Sequence, residues 1–424
     1  MIYQMSESLR TVNRPLAKWA QSTSWIYSGL ASFFNQNPFV KAMHASNDML
    51  YRICKDYTKP EFSIASVELD GSTILIKESI RLAKPFCDLR HFERFSSDLK
   101  VIKAIDNQPT VLIVAPMSGH HATLLRNTVR EMLPHNNVFI TDWLDARNVP
   151  LSEGEFSLDD YVNYVQDFIR ELQAKYGNCH VLSVCQPTVP ALAAVSLMAS
   201  RGELTPLTLT MMGGPIDARK SPTKVDNLAT EKTYQWFESN VIDSVPSAFA
   251  GAGRRVYPGF LQLAGFLSMH PDIHSEHYLD YFKDVANGRE SEAQAHRKFY
   301  DEYNAVIDMD AAFYLDTIRI VFQDFNLAKG TWKVRNSKGV PEHVRPQDIK
   351  KTAILTVEGE ADDITGIGQT KAAHELCASL GAKMKEHIEV PKVGHYGIFS
   401  GKTWAKSTRP MVQSFIKKHS KFVN

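Results

Sequence analysis

The sequence has few cysteines, no long apolar run and almost no excess of charge. Only five of its 424 residues are cysteine, and no two of them have Cys-x-x-Cys spacing. No apolar run approaches the roughly 20 residues that a membrane-spanning helix needs. Lysine and arginine number 48 against 47 aspartate and glutamate, so no net field attracts nucleic acid. We therefore expect no disulfide framework, no membrane span and no nucleic-acid partner.

The beginning of the chain and its cysteines bear on location. The first residues lack a basic segment followed by an apolar one, so a secretory signal peptide is not expected. Scattered, unpaired cysteines are typical of a reducing compartment. Both features predict a soluble intracellular protein. The composition, 44% hydrophobic and 22% charged, is that of a globular chain with a large core.

Short apolar runs alternate with helical patterns in two parts of the chain. In the first part the runs cover residues 111–115, 138–140, 181–184 and 207–211, with helices predicted at 121–133, 158–175 and 188–200. In the second part the runs cover 353–357 and 385–390, with helices at 369–380 and up to 417. Such alternation indicates parallel strands joined by helices. We predict an α/β fold with a mostly parallel, doubly wound sheet.

The remaining segments define the expected domain organisation. Residues 1–60 have helical spacing and are predicted to form two or three amphipathic helices. Asp70-Gly71 separates two strand-like runs, which favours a hairpin. Residues 61–217 and 349–424 are then the two parts of the α/β core. Residues 218–348 carry helical patterns without a clear strand ladder and are predicted to form an inserted helical cap.

The predicted cap is rich in aromatic residues. These are Trp236, Phe237, Tyr257, Phe260, Phe266, Tyr278, Tyr281 and Phe282. Two interpretations are open: the rings pack the cap onto the core or a second copy of the chain, or some of them form an exposed apolar patch that adsorbs to a surface.

Cys185 occupies a position suited to a nucleophile. It lies in Val-Cys-Gln-Pro-Thr-Val-Pro, residues 184–190, between an apolar run and a helical pattern. A sharp strand-to-helix turn would project the thiol above the sheet edge, and the helix would direct its N-terminal amides towards it. A lone cysteine is more often a small buried apolar residue, so the interpretation depends on its partners.

Suitable partners follow in the order that α/β-hydrolases use, which is nucleophile, acid and then histidine. Asp362 and Asp363 come after the run at 353–357, and His395 comes after the last predicted strand. We predict that His395 is the base and Asp362 its acid, with Asp363 as the rival and Asp217 as a more distant alternative. In these roles the histidine takes the thiol proton and the acid fixes its ring.

An oxyanion hole is expected next to the nucleophile. One donor is the amide of Gln186, the residue after it, and the other comes from the loop at 115–121. Pro116 has no N–H, so Met117 is the better candidate and Ser118 the next. His120 and His121, in the same loop, are predicted to line the substrate pocket, or else to form a solvated helix start.

Several segments resemble a known family, the intracellular poly(3-hydroxybutyrate) depolymerases with an α/β-hydrolase fold and a cysteine nucleophile. They are residues 115–126, 141–147, 184–190, 197–200, 358–370 and 393–399, and the opening of the chain, residues 1–52, is similar as well. The resemblance implies Cys185, Asp362 and His395 as a triad. It also implies hydrolysis of storage polyester at granules in a bacterial cytoplasm, without a cofactor or metal.

The nucleophile segment departs from the usual Gly-x-nucleophile-x-Gly. Ser183 and Pro187 replace the two glycines, which argues against a generic elbow but not against this family. Two alternatives stay open: an acyltransferase that passes the acyl group to coenzyme A or a growing chain, and a non-catalytic granule-coat protein. A homodimer is also compatible with the sequence.

Overall fold

The computed structural model describes residues 2–33, 37–269 and 271–420. Its strands are β1 (Ser66–Leu69), β2 (Ser72–Lys84), β3 (Cys87–Phe95), β4 (Thr110–Val114), β5 (Asn137–Trp143), β6 (His180–Val184), β7 (Thr208–Met212), β8 (Asp243–Ser244), β9 (Arg255–Tyr257), β10 (Met309–Asp310), β11 (Lys333–Arg335), β12 (Pro341–His343), β13 (Ala353–Gly359) and β14 (Lys385–Val390).

Nine strands form the central sheet, in the order β1-β2-β3-β5-β4-β6-β7-β13-β14. Neighbouring strands from β5 to β14 are parallel, while β1, β2 and β3 form an antiparallel edge that joins the rest through an antiparallel β3–β5 pair. The carboxyl ends of the parallel strands meet at one edge, where such sheets hold their ligands. The mostly parallel α/β fold predicted from the apolar runs is confirmed.

Helices cover the sheet and build the segments around it. They are α1 (Ile2–Phe33), α2 (Pro38–Cys54), α3 (Leu99–Asp106), α4 (Arg126–Met132), α5 (Leu158–Tyr176), α6 (Thr188–Ser200), α7 (Lys224–Glu231), α8 (Tyr234–Asn240), α9 (Gly259–Met269), α10 (Pro271–Asn287), α11 (Glu290–Tyr303), α12 (Ala311–Asp316), α13 (Ala373–Leu376), α14 (Gly401–Thr403) and α15 (Arg409–His419). None of the described helices is long and apolar enough to cross a bilayer.

Local sequence explains the clearest of these elements. α5 begins with a capping box between Ser157 and Asp160 and ends at Gly177, whose φ of +78° suits glycine. All five residues of β6 are buried, as are eleven of the thirteen in α6. Elements that are apolar all round belong in the interior, so this strand and this helix form the centre of the molecule.

Some elements differ from the prediction. β3 was not expected, because Arg90, His91 and Glu93 interrupt its apolar pattern. The helix predicted at 369–380 contracts to the single turn α13. The segment 218–348 contains two small antiparallel sheets besides its helices, β8-β9-β10 and β11-β12. The Asp70-Gly71 hairpin is confirmed, and both turn residues have positive φ.

The segment 218–348 shares its interior with the sheet. Ile307, Phe313 and Trp332 belong to the same apolar cluster as the buried strands. Each of the eight aromatic residues named above for this segment is buried or half-buried, and none is exposed. Their surroundings therefore favour packing over an exposed adsorption patch.

His180, the first residue of β6, makes stability depend on pH. It is 1% exposed, and burial lowers the pKa of His180 to about 3. In the unfolded chain this ring becomes protonated below about pH 6.5, whereas in the folded chain it stays neutral down to about pH 3. Stability linked to this ring is therefore present above pH 6.5 and lost as the pH falls.

We expect His180→Asn to remove this part of the acid sensitivity. The free energy of unfolding of the wild type should fall by roughly 2 kcal/mol more between pH 7 and pH 5 than that of the variant. Urea unfolding at both pH values measures the difference. His343→Asn, at an exposed histidine, is the control and should keep the wild-type dependence. Equal pH dependence in His180→Asn and wild type would show that the idea is wrong.

Candidate active site

Cys185 sits in a sharp turn between β6 and α6. Its φ is +69°, in the left-handed region that non-glycine residues rarely occupy. Hydrogen bonds fix the turn: the Cys185 amide donates to Met212 O at 2.7 Å, and the Thr188 amide donates to Cys185 O at 3.1 Å. The side chain is half-buried and lies before the N-terminus of α6. This is the strained strand-to-helix geometry expected of a nucleophile elbow.

The two departures from the glycine motif are accommodated differently. Ser183 is fully buried and donates a hydrogen bond to Thr210 O at 3.1 Å on the neighbouring strand. Pro187 precedes the first turn of α6, where its missing N–H is not needed. Room at the elbow comes from Gly214, because a Cβ there would lie 1.7 Å from Thr188 Oγ1.

Asp362 is the carboxylate that holds His395. Its Oδ2 accepts a hydrogen bond from His395 Nδ1 at 2.8 Å. Its Oδ1 accepts from the amides of Ile364 and Thr365, each at 2.9 Å. Because both oxygens are engaged, the carboxylate has a fixed orientation. Of the alternatives, Asp217 forms an ion pair with Arg219, with contacts of 2.8 and 2.9 Å.

His395 lies between this carboxylate and the thiol. It begins a short 3₁₀ turn after β14 and is 5% exposed. Burial disfavours the charged ring, but the Cys185 thiolate and hydrogen bonds to Asp362 and Cys185 outweigh it and raise the pKa of His395 to about 10. The structure thus brings together the three side chains predicted to form the triad.

Three other cysteines have different surroundings. Cys87, Cys179 and Cys377 are buried. Burial raises the pKa of the Cys179 thiol to about 12 and does the same for Cys377. Thiols in such surroundings are inert, which leaves Cys185 and the half-buried Cys54, and of these two Cys185 is the one whose charge raises the pKa of His395.

The loop after β4 carries the predicted second oxyanion donor. Three hydrogen bonds fix its first residue, Ala115. The carbonyl oxygen of Ala115 accepts from Trp143 Nε1 at 2.8 Å and from Tyr161 Oη at 3.1 Å. Its amide donates to Thr141 Oγ1 at 2.9 Å. Sequence reasoning had singled out residues 141–147 only by resemblance, and these bonds give them a positioning role.

The candidate donors lie in this loop and at the elbow. Met117 is buried, while Ser118 and Gln186 are half-buried. Within the described ranges, neither the Met117 amide nor the Gln186 amide donates a hydrogen bond to another protein group. Both amides therefore retain a free donor, and their use as an oxyanion hole stays a prediction.

His120 and His121, the two histidines of the loop after β4, have different environments. His120 Nε2 lies 3.0 Å from Tyr303 O, its ring contacts Phe266 and Tyr303, and burial lowers the pKa of His120 to about 4. His121 lines a cavity of about 580 Å³ beside α1, together with Asp145 and Arg147. Cys185 does not line this cavity, so the cavity is distinct from the nucleophile elbow. Substrate contact by either histidine stays a prediction.

Gly213 is a site residue that sequence reasoning missed. It follows β7 with φ +56°, and a Cβ would lie 2.6 Å from Ile398 Cδ1, 3.2 Å from His395 Cε1 and 3.4 Å from Asp362 Oδ2. The His395–Asp362 pair therefore packs directly on this glycine. The Gly213-Gly214-Pro215 run in the sequence was a usable signal.

The strand order, the strained Cys185 turn and the histidine after the last strand define a protein of the α/β-hydrolase class. Residues 213–420, nearly half of the chain, match the model of the family described as "PHB de-polymerase C-terminus". This match confirms the resemblance to poly(3-hydroxybutyrate) depolymerases seen in the sequence motifs and supports hydrolase activity. No curated protein matches the sequence significantly.

Solved structures are similar only remotely. A putative lipase from Acinetobacter baumannii AYE is 13% identical, with 81% of this chain and 93% of that chain covered and a TM-score of 0.40. The 2-hydroxy-6-oxo-6-phenylhexa-2,4-dienoate hydrolase from Rhodococcus sp. strain RHA1 is 13% identical, with 81% of this chain and 99% of that chain covered and a TM-score of 0.41. The α/β hydrolase GrgF from Penicillium sp. sh18 is 12% identical, with 81% of this chain and 98% of that chain covered and a TM-score of 0.45. Similarity at this level carries no information on substrate.

We expect Gly213→Ala to slow alkylation of Cys185 by iodoacetamide by about tenfold, because the added methyl displaces His395 from the thiol. Mass spectrometry of each cysteine measures the rate. Gly330→Ala is the matched control: Gly330 has φ +66° with nothing within 4 Å of a Cβ, so backbone strain is similar but the site is untouched. Equal slowing in both variants would contradict the proposed contact.

We expect Asp362→Asn to lower the pKa of His395 from about 10 by roughly 1–3 units, because an amide does not stabilise the imidazolium as a carboxylate does. NMR titration of the ring carbons, with His395→Asn for assignment, measures this pKa. Asp363→Asn is the control and should leave it near the wild-type value. The assignment of Asp362 is wrong if Asp363→Asn gives the larger shift.

Proposed function

We propose that this protein is an intracellular depolymerase that hydrolyses poly(3-hydroxybutyrate) storage polyester through an acyl-Cys185 intermediate. The observation that carries the proposal is His395, which is hydrogen-bonded to Asp362 and whose pKa is raised by Cys185, in a chain whose residues 213–420 match the PHB depolymerase family model. The proposed partner is the surface of polymer granules in the cytoplasm. No cofactor or metal takes part.

The first half-reaction transfers the acyl group to sulfur. The Cys185 thiolate attacks the ester carbonyl, and the new oxyanion accepts hydrogen bonds from the amides of Gln186 and Met117, with Ser118 as the alternative donor. The tetrahedral intermediate then collapses. The C–O bond breaks, His395 gives its proton to the leaving oxygen, and the alcohol end of the polymer departs.

The second half-reaction releases the acid. His395, now neutral, takes a proton from water, and the resulting hydroxide attacks the thioester carbonyl. The C–S bond breaks and the thiolate returns to its imidazolium partner. Asp362 keeps the ring in one tautomer throughout, because its Oδ2 bonds to Nδ1 and leaves Nε2 free for proton transfer.

The surroundings of the pair suit a water-poor acylation site. Tyr396, next in sequence to the histidine, is close enough for the Cys185 thiolate to contribute, after burial and Tyr303, to a raised pKa of its phenol. Tyr303 comes from the end of α11, and its carbonyl oxygen lies 3.0 Å from His120 Nε2 in the loop after β4, so we expect the segment 218–348 to supply part of the wall above the elbow. A polyester chain, which carries no charge between its ends, fits such a wall.

The test compares wild type with Cys185→Ala on protein-free amorphous poly(3-hydroxybutyrate) particles and on the soluble ester p-nitrophenyl butyrate. We expect the variant to lose at least about 10³-fold of both activities, because nothing replaces the nucleophile. Cys54→Ala, at another half-buried cysteine, is the control and should retain both. Released 3-hydroxybutyrate and oligomers are quantified by chromatography.

Other outcomes separate the alternatives. Normal turnover by Cys185→Ala would refute the acyl-cysteine mechanism. A product that forms only when coenzyme A is added would identify an acyltransferase. Cleavage of the soluble ester without any release from polymer would identify an esterase of smaller substrates, and no cleavage of either would favour a non-catalytic granule protein.

A further inference from the structure

The longest helix presents an apolar row to solvent. Eight side chains of α1 in this row are 38–70% exposed: Ile2, Met5, Leu9, Val12, Leu16, Trp19, Ile26 and Leu30. Monomeric proteins expose single apolar residues freely, but a continuous row of this length marks a contact surface. We call these eight residues the α1 seam.

The spacing of the α1 seam is that of a coiled coil. Its residues follow one another at alternating intervals of three and four, with Thr23 in the single polar position, through four heptads. A strict seven-residue repeat stays in line only on helices that wind around a partner helix. This spacing therefore favours another helix over a flat surface as the occupant.

The opposite face of α1 packs against the rest of the protein. Tyr3, Ala17 and Ser24 on this face are buried against the rest of the molecule. The Tyr3 hydroxyl donates to Asp308 Oδ2, and Ser24 Oγ lies 3.0 Å from His44 Nδ1 on α2. These contacts fix the helix to the body of the protein, so the α1 seam points outward from a rigid support.

The positions that flank the α1 seam carry no charge. They are Ser6, Ser8, Asn13, Pro15, Ala20, Ser22, Tyr27 and Gly29. In coiled coils these positions select partners through ion pairs or repel them through like charges. Their neutrality means that a second copy of the same helix meets no electrostatic penalty.

The exposed area matches a dimer. Eight side chains of this size, each about half exposed, leave on the order of 800 Å² of apolar surface, which is what one partner contributes to a standard stable interface. We propose that two copies of this chain associate through the α1 seam as an antiparallel helix pair. This proposal is independent of the proposed depolymerase function.

Side-chain sizes favour the antiparallel direction. In that register the facing pairs are Met5–Leu30, Leu9–Ile26, Val12–Thr23 and Leu16–Trp19. The large indole then faces a leucine, and the two short β-branched side chains face each other. A parallel pair would instead stack Trp19 on Trp19 at the same level. The antiparallel pair also has the two-fold symmetry of most homodimers.

Sedimentation velocity tests the association. Wild type at about 1–50 µM should have twice the 47.8 kDa chain mass, because interfaces of this area have dissociation constants of about micromolar or tighter. Leu9→Glu/Leu16→Glu should be monomeric, because four carboxylates would enter the interface. Ser28→Glu, an exposed position of α1 outside the seam, is the matched control and should stay dimeric. Thermal unfolding checks that each variant folds.

Cysteine cross-linking tests the direction. Met5→Cys and Leu30→Cys should form a disulfide only when the two single variants are mixed and exchanged, since these positions face each other across the antiparallel pair. A disulfide within either variant alone would overturn the antiparallel arrangement.

Two results would overturn the dimer itself. One is a monomeric wild type at 50 µM, and the other is a Leu9→Glu/Leu16→Glu variant that stays dimeric. A monomer whose adsorption to amorphous polyester particles is lost in this variant would assign the α1 seam to the polymer surface instead.

Discussion

The backbone of Cys185 is the constraint on which the site depends. A left-handed conformation at a residue with a Cβ costs about 1–2 kcal/mol, and the chain keeps it because the elements on either side leave no alternative. β6 is fully buried between β4 and β7, and α6 is buried along almost its whole length. Moving the turn into a relaxed conformation would pull one of them out of the core. The energy of the interior thus holds the thiol above the sheet edge.

Space at the elbow is supplied from a neighbouring strand rather than from the elbow itself. In most elbows small residues beside the nucleophile allow the tight approach of strand and helix. Here Ser183 and Pro187 take those places, and the two glycines after β7 provide the room, one under Thr188 and the other under the His395–Asp362 pair. The same short segment therefore serves both the nucleophile and its base. This explains how the elbow of this chain accommodates Ser183 and Pro187 without the usual glycines.

The sequence predicted strands and candidate site residues where the apolar pattern of a segment matches its burial in the fold. The fully apolar runs predicted β4, β6 and β13, and chain order pointed to His395 and Asp362. It failed where tertiary contacts decide. The charged residues of β3 disguise a strand because Arg90 is paired with Asp142 on β5. The surroundings of His120 depend on Tyr303, nearly 200 residues away, and no local pattern signals that contact.

The position of His395 near the end of the chain has a consequence for synthesis. Cys185 and the loop after β4 emerge from the ribosome more than 200 residues before the histidine does, and domains begin to fold while later parts are still being made. Until the last loop docks, the sulfur has no imidazole partner, and β13 and β14 are missing from the sheet. In a nascent chain that stops before residue 395, the proposed nucleophile therefore lacks its proposed base, and the site is assembled only when the loop after β14 has folded.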